Sequence, residues 1–252
     1  WQILPVGPTG CGDSPYQSFS SFAGNPYLID LDELVRDGLL TKSEVESVNW
    51  GSVSDCVDYG TMYEHRSRLL AIAAGRGLAR NDAAFSAFCA ENESWLFNYA
   101  LYMAVKKHFS MLPWMQWDEP IRLRSPEAVQ HYSELLKDEI LSCEYVQYLF
   151  FSQWKKLRAY AHKKGIGIIG DMPIYVALDS SDVWAEPEFF ELDKDNVPTA
   201  VAGVPPDYFS AEGQLWGNPL YAWDRLRDDG YGWWIRRIEG AKKLYDVIRI
   251  DH

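Results

Sequence analysis

Lys163–Val176 reads KKGIGIIGDMPIYV and Lys242–His252 reads KKLYDVIRIDH, and the two stretches share one plan. Each starts at the tail of an amphipathic helix marked by two lysines, runs through a short β-branched and apolar strand, and delivers an aspartate, Asp171 or Asp251, at the strand's end. Helices alternating with strands that are apolar on both faces imply a parallel sheet covered by helices, either doubly wound or closed as a (β/α)8 barrel. Both architectures bind ligands at the C-terminal ends of their strands, so both carboxylates are expected in a site. A lone carboxylate there is more often a helix cap or a loop ion pair; two at equivalent positions favour a site. Arg249, two positions before Asp251, falls on the same strand face.

Outward from these stretches the pattern is mostly helical. Ser125 reads as an N-cap with Pro126 at the first helical position, opening a helical stretch that runs, with a break, to a stop at Gly165. Upstream, Thr41 and Glu44 form a capping box, and Asp82–Phe109 carries apolar residues at three- and four-residue spacing; a helical insertion is expected over roughly 41–124. The pairs Lys106-Lys107, Lys155-Lys156, Lys163-Lys164 and Lys242-Lys243 are each expected to close a helix. At the start, WQILPV (1–6) predicts a buried strand running into the glycine-rich loop GPTGCGDSP (7–15), read as a tight turn that lets a ligand approach the backbone. Between the two aspartates, residues 197–223 are rich in Gly and Pro and hold Tyr208, Phe209 and Trp216 in a polar setting, which suits a working lid or binding loop.

Composition narrows the function. A chain of 252 residues that is 47% hydrophobic can bury a core of its own. A formal charge of −12, with no stripe of Lys and Arg, argues against nucleic acid. No apolar run approaches the ~20 residues a membrane span needs. Cys11, Cys56, Cys89 and Cys143 are far apart, with neither zinc spacing nor a tight disulfide framework, so no metal and reduced thiols are expected. Eleven Trp and fifteen Tyr supply rings that stack on sugars or serve as ordinary core. There is no GxSxG elbow, no GxxxxGK[ST] loop and no GxGxxG between strand and helix.

Four ordered stretches then carry a specific resemblance: WQILPVGPTG with GDSPYQSFSSFAGNPYLIDL, GDMPIYVALDSSDVWAEPEFF, VAGVPPDYFSAEGQLWGNPLY and IRIDH. Together they run from Trp1 to His252 and resemble the amylomaltases, the 4-α-glucanotransferases of glycoside hydrolase family 77. The resemblance implies a (β/α)8 barrel with helical insertions, of which this chain would hold about the first half. It also implies a retaining double displacement on α-1,4-glucans and maltooligosaccharides, with no cofactor. Asp251 matches the family nucleophile and Arg249 the arginine that keeps it ionised and aimed. Asp171 matches a carboxylate that binds sugar hydroxyls, and Tyr16 the ring under the transferred sugar. Ser14, Gln214, Trp216 and Asn218 match residues of neighbouring subsites. Asp207, Tyr208 and Phe209 match a mobile loop that closes over the glucan and excludes water. His252 extends the motif, with a supporting role behind the site.

Two departures stand out. Cys11 takes the place of a tyrosine that the family associates with a secondary glucan-binding surface. The general acid that a retaining glycosidase needs about 5 Å from its nucleophile has no counterpart at a strand end here, and the family draws it and a third carboxylate from later strands. The chain is therefore expected to be part of a longer enzyme. A related α-glucan hydrolase and a non-catalytic glucan-binding remnant are the competing readings. A cytoplasmic maltodextrin enzyme is expected, or a plastid one in a plant.

Overall fold

The computed structural model describes residues 1–51 and 55–251, without the side chain of Cys11. In chain order, β1 (Gln2–Ile3) leads into a loop with a 3-10 turn at Cys11–Asp13. A mainly helical region follows, with α1 (Leu31–Arg36), α2 (Lys42–Glu46), α3 (Tyr59–Thr61), α4 (Ser67–Leu78), α5 (Ala83–Glu91), α6 (Leu96–His108), α7 (Glu119–Arg122), α8 (Pro126–Leu135) and α9 (Lys137–Lys163). Then come β2 (Ile169–Pro173), α10 (Ser181–Ala185), β3 (Val201–Val204), β4 (Gln214–Pro219), α11 (Trp223–Asp228), α12 (Gly232–Leu244) and β5 (Val247–Asp251). No helix among these is long and apolar enough to cross a membrane.

The expected caps are present. Thr41 and Glu44 make a reciprocal capping box, and the Ser125 hydroxyl accepts from the Ala128 N–H with Pro126 in the first turn. The break lies at Leu136, between α8 and α9, and Gly165 adopts φ +74° just past the end of α9. Three of the four lysine pairs sit in or just past a last helical turn. Lys155-Lys156 does not: it lies inside the 27-residue α9, where no Gly or Pro interrupts the backbone and Trp154 is buried on the inner face.

The central sheet is parallel, in the order β1-β2-β5. Among the described residues β2 alone in this sheet has neighbours on both sides. The first strand is shorter than WQILPV predicts, because pairing with β2 covers only Gln2 and Ile3. β5 is an edge strand among the described residues, so Val247 and Ile250, expected inside, are about half exposed. The register also corrects the two-aspartate expectation. Asp171 stands opposite Arg249, whereas Asp251 stands opposite Pro173, so the aspartates are two residues out of step. All three charged side chains still share one face, since the strands are parallel and the pleat has a period of two.

Residues 197–223 hold more regular structure than a loop. β3 and β4 pair antiparallel, with an irregularity between Val201 and Gly203, and form a ribbon whose tip carries Asp207–Ser210. Main-chain pairing satisfies the polar backbone that an irregular excursion would leave open.

Two long-range connections set the helical region against the sheet. Gln147 of α9, fully buried, binds both the N–H and the C=O of Gly24. Beyond β2, Asp179 accepts from the Tyr102 hydroxyl at 2.7 Å, the Lys106 ammonium at 2.6 Å and the Trp114 N–H at 3.2 Å. Lys106 also lies over the Phe19 and Tyr102 rings, and burial lowers its pKa against the opposing pull of Asp179.

Candidate active site

Asp171 is the middle residue of the central strand and only 3% exposed. Its Oδ2 accepts from Arg249 Nη1 at 2.7 Å and from the Tyr16 hydroxyl at 2.8 Å. Its Oδ1 is buried and has no partner among the described residues. Arg249 forks: its other terminal nitrogen donates to Asp251 Oδ1 at 2.6 Å, so one guanidinium ties the two aspartates together. The Asp251 side chain is about one third exposed and lines the open cleft, while Asp171 sits below it.

Tyr16 is placed by the turn that follows β1. Gly10 donates to the Gln17 carbonyl at 2.8 Å, and a Cβ at Gly10 would come within 2.4 Å of that oxygen, so only glycine lets the two backbone segments meet. The Tyr16 N–H donates to Ser14 Oγ, and Thr9 bridges to Ser18. Burial, the hydrogen bond to Asp171 and the negative charge of both aspartates push the Tyr16 phenol up to about 12, so it remains a donor across the neutral range. Beneath β2, a Cβ at Gly170 would collide with the Tyr245 ring, whose hydroxyl accepts from the Val6 N–H. The ring that excludes a side chain at Gly170 thereby also holds the start of the Tyr16 loop.

The cleft, of about 180 Å3, is lined by Ser14, Tyr16, Gln17, Pro173, Ile174, Tyr175, Trp216, Asn218 and Asp251. Five expected residues, Ser14, Tyr16, Trp216, Asn218 and Asp251, meet there. Asp171 lies underneath, on a smaller cavity of about 60 Å3 that Tyr16 and Tyr175 also border. Gln214 stands behind Trp216, accepting from its indole N–H at 3.0 Å. Asp207, Tyr208 and Phe209 do not reach the cleft: Asp207 closes the ribbon tip by accepting from the Phe209 and Ser210 N–H groups, and Tyr208 and Phe209 are 98% and 88% exposed. Their rings, 5.8 Å apart, project into solvent. His252 lies outside the described residues.

Three contributions went unread in the sequence. Gln17 donates to Asn218 Oδ1 and fixes that side chain, whose own amide donates to the Val176 carbonyl. Tyr175 forms a wall between Trp216, at 6.4 Å, and Tyr221, stacked at 6.1 Å. Its signal was available: an aromatic residue two past the strand's terminal proline, in DMPIYV. Pro173 and Ile174, just past the aspartate, are the third contribution. No glutamate lines this cleft, and among the described residues no group of three His, Cys, Asp or Glu side chains could hold a metal ion.

Comparison with known proteins gives the chain a family. The family model for 4-alpha-glucanotransferase matches residues 1–252. The 4-alpha-glucanotransferase of Streptococcus pneumoniae serotype 4 is 50% identical over 254 residues, covering all of this chain and 50% of the relative. That of Clostridium butyricum is 47% identical, with 52% of its length covered. The solved amylomaltase of Streptococcus agalactiae in complex with acarbose superposes with a TM-score of 0.96 at 46% identity, over all of this chain and 51% of that one. A Corynebacterium glutamicum amylomaltase, at 18% identity and a TM-score of 0.68, shares the fold. The chain spans about half the length of the curated relatives it matches. With an α/β fold like theirs and a model match over its whole length, it belongs to the 4-alpha-glucanotransferase family.

Proposed function

We propose that the full-length protein transfers 4-α-glucan segments between maltooligosaccharides, and that β1, β2 and β5 are consecutive strands of its (β/α)8 barrel. The observation that carries this reading is the Arg249 fork, which aims a part-exposed Asp251 into a tyrosine-lined cleft above the buried Asp171. In the first step an Asp251 carboxylate oxygen attacks the anomeric carbon of the donor, the glycosidic C–O bond breaks, and the leaving oxygen takes a proton from a general acid supplied elsewhere in the full-length protein. In the second step the 4-hydroxyl of an acceptor sugar gives its proton back to that group and attacks the same carbon, releasing Asp251. Arg249 fixes the carboxylate in direction through its Nη2.

The free Oδ1 of Asp171 suits a sugar hydroxyl, whose donated hydrogen bond would satisfy a buried acceptor that otherwise costs folding energy. The Tyr16 ring offers a stacking face for the transferred sugar, and Ser14, Gln214, Trp216 and Asn218 serve the adjoining subsites. Asp207, Tyr208 and Phe209, standing clear of the cleft, fit a ribbon tip that folds down on bound glucan and shields the intermediate from water. A cytoplasmic role in maltodextrin turnover accords with these substrates.

Incubation of the full-length protein with maltotriose tests this. Transfer predicts glucose and a ladder of longer oligosaccharides at a constant number of reducing ends. A steady rise in reducing ends indicates a hydrolase, and no change in the oligosaccharides contradicts the assignment.

A further inference from the structure

The Ile174 backbone, just past β2, is gripped at both its N–H and its C=O. Its N–H donates to the main-chain carbonyl of Asp251 at 2.8 Å, which is the last rung between β2 and β5. Its carbonyl accepts from Arg237 Nη1 at 2.9 Å and from the Tyr221 hydroxyl at 2.6 Å, while Arg237 Nη2 reaches the Pro173 carbonyl. Arg237 also donates to the Tyr221 oxygen at 2.9 Å, closing the set.

Arg237 comes from α12, is 2% exposed, and has no ion-pair partner within 4 Å among the described residues. All its hydrogen bonds go to neutral oxygens, and its charge acts at longer range on the buried Asp182, so its fork serves to fix direction rather than to pair an ion. The faces of Trp233 and Trp234 lie 5.5 and 5.0 Å from its charge and hold it from the other side. Tyr221 is 1% exposed and carries the stacked Tyr175 ring on its face. Asp251, Pro173, Ile174 and Tyr175, which these bonds and the Tyr221 stack connect, all line the cleft.

We propose that Arg237 and Tyr221 form a positioning clamp that sets the height of Asp251 against Tyr175, and with it how firmly the cleft holds an acceptor sugar over water. This rests on the transferase reading above. Neither residue lines the cleft, and Arg237 borders only the small cavity beneath it; both act through the Ile174 backbone and the Tyr175 ring. If the clamp loosens, the acceptor hydroxyl and the anomeric carbon lose alignment, whereas a water molecule needs little alignment, so hydrolysis gains on transfer.

The test uses Arg237→Lys and Tyr221→Phe in the full-length protein, with maltotriose, reading the ratio of transfer events to new reducing ends. That ratio is independent of how much protein is correctly folded, so a merely structural role does not move it. Lysine keeps the charge but cannot span two successive carbonyls, and phenylalanine keeps the stack but loses the hydroxyl. The expected fall in the ratio is about tenfold for Arg237→Lys and about threefold for Tyr221→Phe. A ratio within twofold of the unaltered protein in the variants that fold overturns the clamp; if Arg237→Lys does not fold, Tyr221→Phe decides alone. An unaltered protein that makes no transfer products removes the transferase reading, and the clamp with it.

Discussion

Two clusters in this molecule use the same chemical parts: an aspartate, a basic side chain and a tyrosine hydroxyl. Around Asp179 every acceptor is taken, with Tyr102 and the Trp114 N–H on one oxygen and Lys106 on the other. Around Asp171 both donors crowd onto Oδ2, and the buried Oδ1 has none among the described residues. The first cluster joins the helical region to the loop after β2 and is complete within the protein. The second lacks one donor, and the missing partner is what a sugar hydroxyl would supply. Leaving a buried acceptor open costs roughly 1–3 kcal/mol of stability, so such a group is found where binding recovers that cost.

The largest expected effect lies at the open cluster. Asp251→Asn should lower transfer by about 10⁴-fold or more while moving the unfolding midpoint little, because the side chain is part exposed and its loss leaves no buried charge. Lys106→Met should do the reverse. It removes a buried cation and leaves the part-exposed Asp179 carboxylate unpaired, costing about 2 kcal/mol in a denaturant titration, with KM for maltotriose unchanged. If Lys106→Met damaged KM as strongly as stability, the contrast between the clusters would collapse.

Asp171→Asn sharpens the contrast from the other side. Transfer should fall by about 100-fold, and stability should shift by less than about 1 kcal/mol, since the amide oxygen can still accept from Arg249 and Tyr16. A large loss of stability would place Asp171 with Asp179 as a structural group.

Asp182 is, with Asp171, a buried carboxylate, and burial raises its pKa to about 6 against the Ser21 N–H that it accepts at 2.8 Å and the positive charge of Arg237. An unfolded chain releases this proton near pH 3.9. The contribution to stability is therefore complete below about pH 4 and is lost as pH rises through about 6. Asp182→Asn should remove that loss, leaving the protein on the order of 2 kcal/mol more stable at pH 7 and flattening its stability between pH 4 and 6. A variant less stable than the parent at pH 7 would mean that the charge has a function of its own.

Much of this was legible in the sequence because local rules write it there. Thr41 with Glu44, Ser125 with Pro126 and Gly165 mark helix ends through side-chain chemistry acting within a few residues. The strands before Asp171 and Asp251 declare themselves by β-branched runs, and the shared face of Arg249 and Asp251 follows from the pleat. Relations between segments were not legible. The two-residue offset of Asp171 from Asp251 is set by strand pairing, which no single strand encodes. The β3–β4 ribbon hid behind VAGVPP and WGNP, where Gly and Pro weaken strand propensity while long-range pairing restores the strand. Lys106 lies 73 residues from Asp179, and Arg237 is 63 residues from Ile174, so neither partnership leaves a local pattern. The roles of Asp251, Arg249 and Tyr16 came from the family resemblance, and their convergence on one cleft is the geometric support for them.

The central claim is that Asp251 carries the glycosyl group between donor and acceptor. Reaction of the full-length protein with an α-maltosyl fluoride donor in the absence of acceptor, quenched in acid and analysed by peptide mass spectrometry, tests it most directly. The account predicts a mass increase of one maltosyl unit on the peptide that contains Asp251, and its absence from Asp251→Asn; a maltosyl group found on Asp171 or on any other carboxylate would contradict it.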